Sequence, residues 1–262
     1  MKKTLIALAV AASAAVSGSA MAEWTAGGTG GPFEMGGTLT QEESISPWEV
    51  QVGAAVTNLD AEVKQGSTSA EINLGQVIPI LGIRTISSQE FVGGPGLTPT
   101  ISYGGALHLN EFENSSAPLF LDMKDNGDEK IGTVEAPVFA AGVFSSKEGG
   151  PMGVLAWQYS AFASEAGDGF FGGVPQKREG AKKDPTATMS QIWEDAGKNY
   201  TTQGAKGFDL PSVFRIDNKS TYSGYYVSGI ESGKTLKFTL DKPFTGTELH
   251  WKASLPITVS YQ

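Results

Sequence analysis

The sequence has no cysteine and only two histidines, His108 and His250, in 262 residues. Without cysteine there is no disulfide framework, no thiol nucleophile and no thiolate-held metal. Each histidine sits in an alternating apolar–polar stretch, Ala106-Leu-His-Leu109 and Glu248-Leu-His-Trp251, and reads as a surface or structural residue. Basic residues are also scarce. With 19 Lys and Arg against 28 Asp and Glu, the formal charge is −9, so no basic face is available to neutralise phosphates and a nucleic-acid partner is disfavoured. No G-x-S-x-G elbow, H-E-x-x-H pair or phosphate-binding glycine loop occurs. Adjacent carboxylates such as Glu42-Glu43 and Glu194-Asp195 point in different directions on a helix or strand. The chain therefore reads as a non-enzyme without cofactor or metal, although a pair of distant carboxylates would be invisible in sequence.

The first 22 residues have the pattern of an export signal. Lys2 and Lys3 precede a short apolar run from Leu5 to Val16, and Ala20-Met-Ala22 supplies the small-residue cleavage pattern. The run is too short to cross a bilayer as a helix. The expected mature chain starts at Glu23 and is exported.

Most of the remainder alternates apolar and polar residues in short runs separated by Gly, Pro, Asn or Ser, as antiparallel strands do. Glu71 to Leu74, Val134 to Val138 and Thr235 to Leu240 are examples. In the last, Leu236, Phe238 and Leu240 share one face. The segment Asp122 to Lys130 resembles a calcium loop only superficially, because Lys124 and Thr133 stand where ligands are needed. Asn126-Gly127 instead predicts a tight hairpin between Leu119–Leu121 and Ile131–Val134, with positive φ at that pair.

Residues 145 to 212 differ in texture and read as an insertion on a β scaffold. An aromatic stretch holds Trp157, Tyr159, Phe162, Phe170 and Phe171, either as a small core or as a stacking platform for sugars. Asp184 and Pro185 start a helix with Met189, Ile192, Trp193 and Ala196 on one face and Gly197 at its end. A weaker helix is expected over Pro151 to about Ala166.

The two ends carry matching strand patterns. Phe33, Met35, Gly37 and Leu39 lie on one face behind the glycine-rich tether Thr25 to Gly31. Leu255, Ile257, Val259 and Tyr261 lie on one face of a strand at which the chain stops. Such ends fit either ordinary first and last strands or strand exchange between subunits.

Several segments resemble the FaeG-type fimbrial subunit and adhesin family of chaperone–usher fimbriae from enterotoxigenic Escherichia coli. They are the leader Met1 to Ala9, Phe33 to Thr40, Ile78 to Thr85, Met123 to Val134, Ala141 to Phe144, Val227 to Thr235 and Pro256 to Tyr261. They occur in family order and frame nearly the whole chain, whereas residues 145 to 212 match poorly. The resemblance implies an all-β fold: an incomplete immunoglobulin-like sandwich, completed by a donor strand and carrying a partly helical insertion. It divides the chain into a signal peptide (1–22), an N-terminal extension (23–41) and a pilin domain (42–262). Phe33, Met35, Gly37 and Leu39 would be the donor side chains. Leu255, Ile257, Val259 and Tyr261 would edge the acceptor groove that a chaperone also engages. The implied partners are neighbouring subunits, a periplasmic chaperone, an outer-membrane usher and host galactose-containing glycans, with Trp157, Tyr159, Phe170 and Phe171 as candidate contacts. The implied location is the cell surface, reached through the periplasm. Two alternatives remain at this point: a minor non-adhesive subunit, and a self-contained secreted β-sandwich lectin or glycan hydrolase.

Overall fold

The computed structural model describes Ala26 and residues 46–150 and 153–262; the leader and the Phe33–Leu39 strand lie outside the described residues. The compact unit Ser44–Gln262 carries all the elements below. The fold is all-β, with twelve strands and one α-helix among the described residues: β1 Trp48–Val52, β2 Ser69–Asn73, β3 Ile78–Thr85, β4 Phe91–Val92, β5 Pro99–Ser102, β6 Ser116–Lys124, β7 Lys130–Gly150, β8 Gly153–Phe162, α1 Thr186–Ile192, β9 Ser212–Val213, β10 Thr221–Ile230, β11 Thr235–Leu240 and β12 Thr258–Tyr261.

The long strand β7 organises the sandwich. Its first half lies between β6, from Ser116↔Phe139 to Lys124↔Lys130, and β11, from Lys237↔Glu135 to Leu240↔Gly132. Its second half lies between β10, from Gly229↔Phe139 to Thr221↔Lys147, and β8, from Val143↔Ser160 to Gly150↔Gly153. Beyond β10 come β3 and the edge strand β1, while β2 follows β11. β5 and β12 form a separate antiparallel pair. Pairing with both halves of β7 joins the layers without a helix between them, as in antiparallel sandwiches.

Period-two alternation accounts for the core. In β11, Leu236, Phe238 and Leu240 are buried while Lys237 and Thr239 are exposed. β10 is buried on both faces. Tyr222 and Tyr226 join the main core with Trp48, Phe144, Phe170 and Phe214. Tyr225 and Val227 face the opposite way and pack with Phe139, Ala141 and Val143 beneath Met189 and Ile192 of α1. The helix is therefore a cover for the outer face of one layer.

Three local expectations are corrected. Residues 153–162 form β8 instead of a weak helix, because the unpaired side of β7 offers them a full ladder, and tertiary pairing outranks local propensity. The hairpin after β6 forms, but with a longer loop than a two-residue turn. Asp125 Oδ1 accepts from the amides of Gly127 (2.8 Å) and Glu129 (2.9 Å), and the positive φ falls at Asp128 (65°). α1 ends at Ile192, and Pro185 occupies the cap position. Asp184 Oδ1 accepts from the Thr186 amide at 3.1 Å, so the acidic residue still satisfies the first free N–H.

A strand-length opening in the sandwich

β1 pairs with β3 so that Trp48, Val50 and Val52 stand opposite Thr85, Ile83 and Leu81. Opposed residues in a ladder share a face, and here it is the core face. Yet Val50 and Val52 are 42% and 57% exposed, while Ile83 and Leu81 beside them are 1% and 0% exposed. The other face of β1 is clamped: Arg84 binds Glu49 Oε1 at 2.5 Å and Asp195 Oδ2 at 3.0 Å. The edge strand is thus held firmly on its outer side and left bare on its inner side.

The chain continues from β1 in an extended but unpaired stretch. After the Gly53 amide donates to Ile80, residues 54–63 make no main-chain hydrogen bond among the described residues. Leu59, Ala61 and Val63 pack partly against the core, alternating with exposed Asp60, Glu62 and Lys64. The C-terminal stretch has the same character. Trp251, Ala253, Leu255, Ile257, Val259 and Tyr261 are half-buried on the core, alternating with exposed residues through Gln262. Among the described residues, β12 has a ladder partner on the β5 side alone.

Hydrogen bonds tie the flanks of the two stretches together at both ends, through Leu97-Thr98 at one and Phe244 at the other. At one, Trp48 Nε1 donates to the Leu97 carbonyl at 2.6 Å, and Thr98 and Gln262 exchange main-chain bonds of 3.0 Å. Burial raises the Tyr261 phenol above its ordinary range, with a hydrogen bond to Ser46 opposing that shift. At the other end, the Gly66 amide donates to the Phe244 carbonyl at 2.7 Å, and the Phe244 amide to Ser67 at 2.9 Å. Between the two junctions no ladder hydrogen bond joins the stretches among the described residues. Two strand edges with half-covered apolar side chains therefore flank one opening. Unpaired edges of this kind are templates for another strand.

Leu255, Ile257, Val259 and Tyr261 are brought together on the core-facing side of this edge. The facing edge is formed by Val50, Val52, Leu59, Ala61 and Val63, none of which the sequence marks as a site. The alternation Leu59-Asp-Ala-Glu-Val63 carries a strand signal for three of them, whereas the exposure of Val50 and Val52 has no local signal. Of the candidate sugar contacts, Trp157 and Tyr159 share one face of β8 and are half-buried. Tyr159 lies 5.3 Å from Phe144. Phe171 is half-buried, and its carbonyl accepts from the Ile101 amide at 2.8 Å. Phe170 is 0% exposed, with ring centroids 5.5 Å from Phe214 and 5.6 Å from Tyr226. It is a core residue and offers no surface to a ligand, because the turn after Asp168 directs it inward.

Neither histidine joins a catalytic arrangement. His108 Nδ1 lies 2.9 Å from Glu111, and His250 lies 3.6 Å from Glu248, both at the surface. Among the described residues no group of three His, Asp or Glu side chains could hold a metal. Nor is any helix long and apolar enough to cross a membrane.

The family described as "Fimbrial, major and minor subunit" matches residues 1–262. The chain is 28% identical to the K88 fimbrial protein AC of Escherichia coli, with all of both chains covered. It is 29% identical to the K88 fimbrial protein AB and to the F41 fimbrial protein, both of Escherichia coli and both again covered in full.

Proposed function

The chain belongs to the fimbrial major and minor subunit family and is a structural subunit of a surface fimbria; from that premise we propose that it polymerises by donor-strand exchange. The opening between residues 50–63 and 251–261 is the acceptor groove. Its occupant in the fibre is the stretch Phe33–Leu39 of a neighbouring subunit. Before assembly, a periplasmic chaperone fills the groove, and an outer-membrane usher hosts the exchange. The carrying observation is the exposure of Val50 and Val52 on the core face of β1, beside fully buried Ile83 and Leu81.

The energetics favour such an occupant. Burying Phe33, Met35 and Leu39 contributes roughly 1.5–3 kcal/mol each, and each new ladder hydrogen bond about 0.5–1.5 kcal/mol. Gly37 permits close backbone approach at its pocket. An empty groove, in contrast, leaves an aggregation-prone edge.

The test compares the mature chain, residues 23–262, expressed alone in the periplasm with a copy carrying residues 25–41 again after Gln262. Only the extended copy is expected to be a soluble monomer with a cooperative melt. A stable monomer from the plain chain, unchanged by the extra strand, overturns donor-strand exchange.

As part of the same reading, the subunit is also an adhesin for host galactose-containing glycans. Half-exposed Trp157 and Tyr159 on β8, with Phe171, form the candidate contacts. Trp157→Ala and Tyr159→Ala fimbriae are expected to lose binding to galactose-terminated glycans while assembling normally. Unchanged binding removes this face from consideration.

A further inference from the structure

Asn126-Gly127 lies in the loop beyond Lys124↔Lys130, the last ladder pair of β6 and β7. Asn126 is exposed, and no other asparagine of the chain precedes a glycine. An asparagine in that setting can react with its own main chain. The Gly127 nitrogen attacks Cγ of the Asn126 side chain, a five-membered succinimide closes, and ammonia leaves. Glycine has no Cβ to obstruct the approach. Water then opens the ring at either carbonyl, which yields aspartate or isoaspartate. One water is consumed and one ammonia released, with no oxidant or cofactor.

The fold opposes this reaction at one point. The attacking nitrogen must give up its proton, and the Gly127 N–H donates to Asp125 Oδ1 at 2.8 Å. The same oxygen accepts from the Glu129 amide at 2.9 Å. The Asp125 amide donates to the Glu129 carbonyl at 3.0 Å, and the Asp128 amide to the Asp125 carbonyl at 3.2 Å, so the loop is closed around the carboxylate. Hydrogen bonds to a carboxylate are among the stronger ones, and its charge disfavours the amide anion that the attack requires. The Gly127 peptide is thus held by Asp125 and is not free to turn onto Asn126 Cγ. Asn114, which precedes the small residue Ser115, is locked differently: Ser115 is buried, and its amide donates to the Gly180 carbonyl at 2.7 Å.

We propose that Asn126 is a self-modification site, converted to aspartate or isoaspartate at a rate that Asp125 restrains in the folded subunit. Conversion adds a negative charge to the loop, and the isoaspartate form also lengthens the main chain by one carbon. Beside it, Asp128 binds Lys252 at 2.8 Å, and Lys124 and Lys252 exchange main-chain bonds of 2.8 and 2.9 Å. The modification therefore falls where the β6–β7 hairpin holds the C-terminal stretch. It requires neither strand exchange nor glycan binding.

The experiment incubates purified fimbriae in mildly alkaline buffer. Peptide mass spectrometry follows the change from amide to acid at each asparagine, and an isoaspartyl methyltransferase assay detects the isoaspartate. Asn126 is expected to convert before any other asparagine. Asp125→Ala is expected to speed its conversion about tenfold, the scale on which one hydrogen bond to a charged group weighs in a rate. Asp125→Ser, whose hydroxyl can still accept, is expected to fall between. If these variants fail to assemble, wild-type fimbriae are compared with the same chain in denaturant, where the Asp125 bond is lost and conversion at Asn126 is expected to quicken. The proposal is overturned if another asparagine converts first in wild-type fimbriae, if Asp125→Ala converts Asn126 no faster than the wild type, or if denaturation leaves the rate at Asn126 unchanged.

Discussion

Val50 and Ile83 stand directly opposite one another in the β1–β3 ladder on the same core-facing side, yet one is 42% exposed and the other 1%. Neighbours in a finished sandwich do not differ in this way, because the sheet above covers both. The difference marks the line along which the sandwich is open.

Val52 allows the opening to be probed energetically. Val52 is exposed in the chain alone, so any burial in the form completed by residues 25–41 comes from the added strand. In that completed form Val52→Ala removes two carbons and is expected to cost about 1–2 kcal/mol. Chemical denaturation of the completed form and its Val52→Ala variant measures the cost. A change below about 0.5 kcal/mol, the scale of an exposed substitution, would place Val52 outside the strand contact.

Gly142 and Phe170 form a second diagnostic pair. A Cβ at Gly142 would overlap the Phe170 ring, which is confined between Trp48, Phe214 and Tyr226. Gly142→Ala is expected to destabilise the completed form by roughly 1–3 kcal/mol through overpacking, and Phe170→Ala by roughly 3–5 kcal/mol through a cavity. Denaturant midpoints check both. A stable Phe170→Ala variant with normal unfolding would contradict the core assignment.

Acid stability is expected to depend on Asp168. Burial opposes its ionisation. The Arg215 guanidinium at 2.7 Å and N–H groups of Ser164 and Glu165 outweigh that, holding the carboxyl below its ordinary value of 3.8. A depressed native pKa contributes stability above the unfolded value that is lost as pH falls toward and through the native one. The melting midpoint of the completed form is therefore expected to fall below about pH 4. Asp168→Asn is expected to start lower and to show a flatter acid limb. Since Arg215 is 58% exposed, added salt should reduce part of the difference.

The alkaline limb has a different origin. Tyr103 is wholly buried, and its hydroxyl lies 2.6 Å from Ser228 Oγ and 2.9 Å from Tyr226 Oη. Burial pushes the Tyr103 phenol from 10.0 up to about 12, against the opposing effect of those hydrogen bonds. A raised native pKa means that stability is full below the unfolded value and is lost as pH rises through the window between the two. Stability should thus decline from about pH 10 upward. Tyr103→Phe is expected to lower stability at neutral pH by about 1–2 kcal/mol and to reduce the alkaline slope. Absorbance titration at the tyrosinate band, alongside melting midpoints, measures both.

The sequence by itself determined the elements whose signal is local. Leu236, Phe238 and Leu240 announce β11 because a strand repeats every two residues. The alternation from Leu255 to Tyr261 announced a C-terminal strand, and Asp184 marked the start of α1. Tertiary structure alone decided what each pattern faces. β8 became a strand because β7 had a free side to pair with. Phe170 turned inward because a turn around the buried Asp168 aims it at Trp48 and Tyr226, which decides between the core and sugar-platform readings that the sequence leaves open for it. Val50 and Val52 carry the same pattern as any covered edge strand; their exposure is set by what lies over β1 in the folded chain. Alternation specifies which side of a strand is apolar, but burial depends on residues distant in the chain, or in another chain, that come to lie over it.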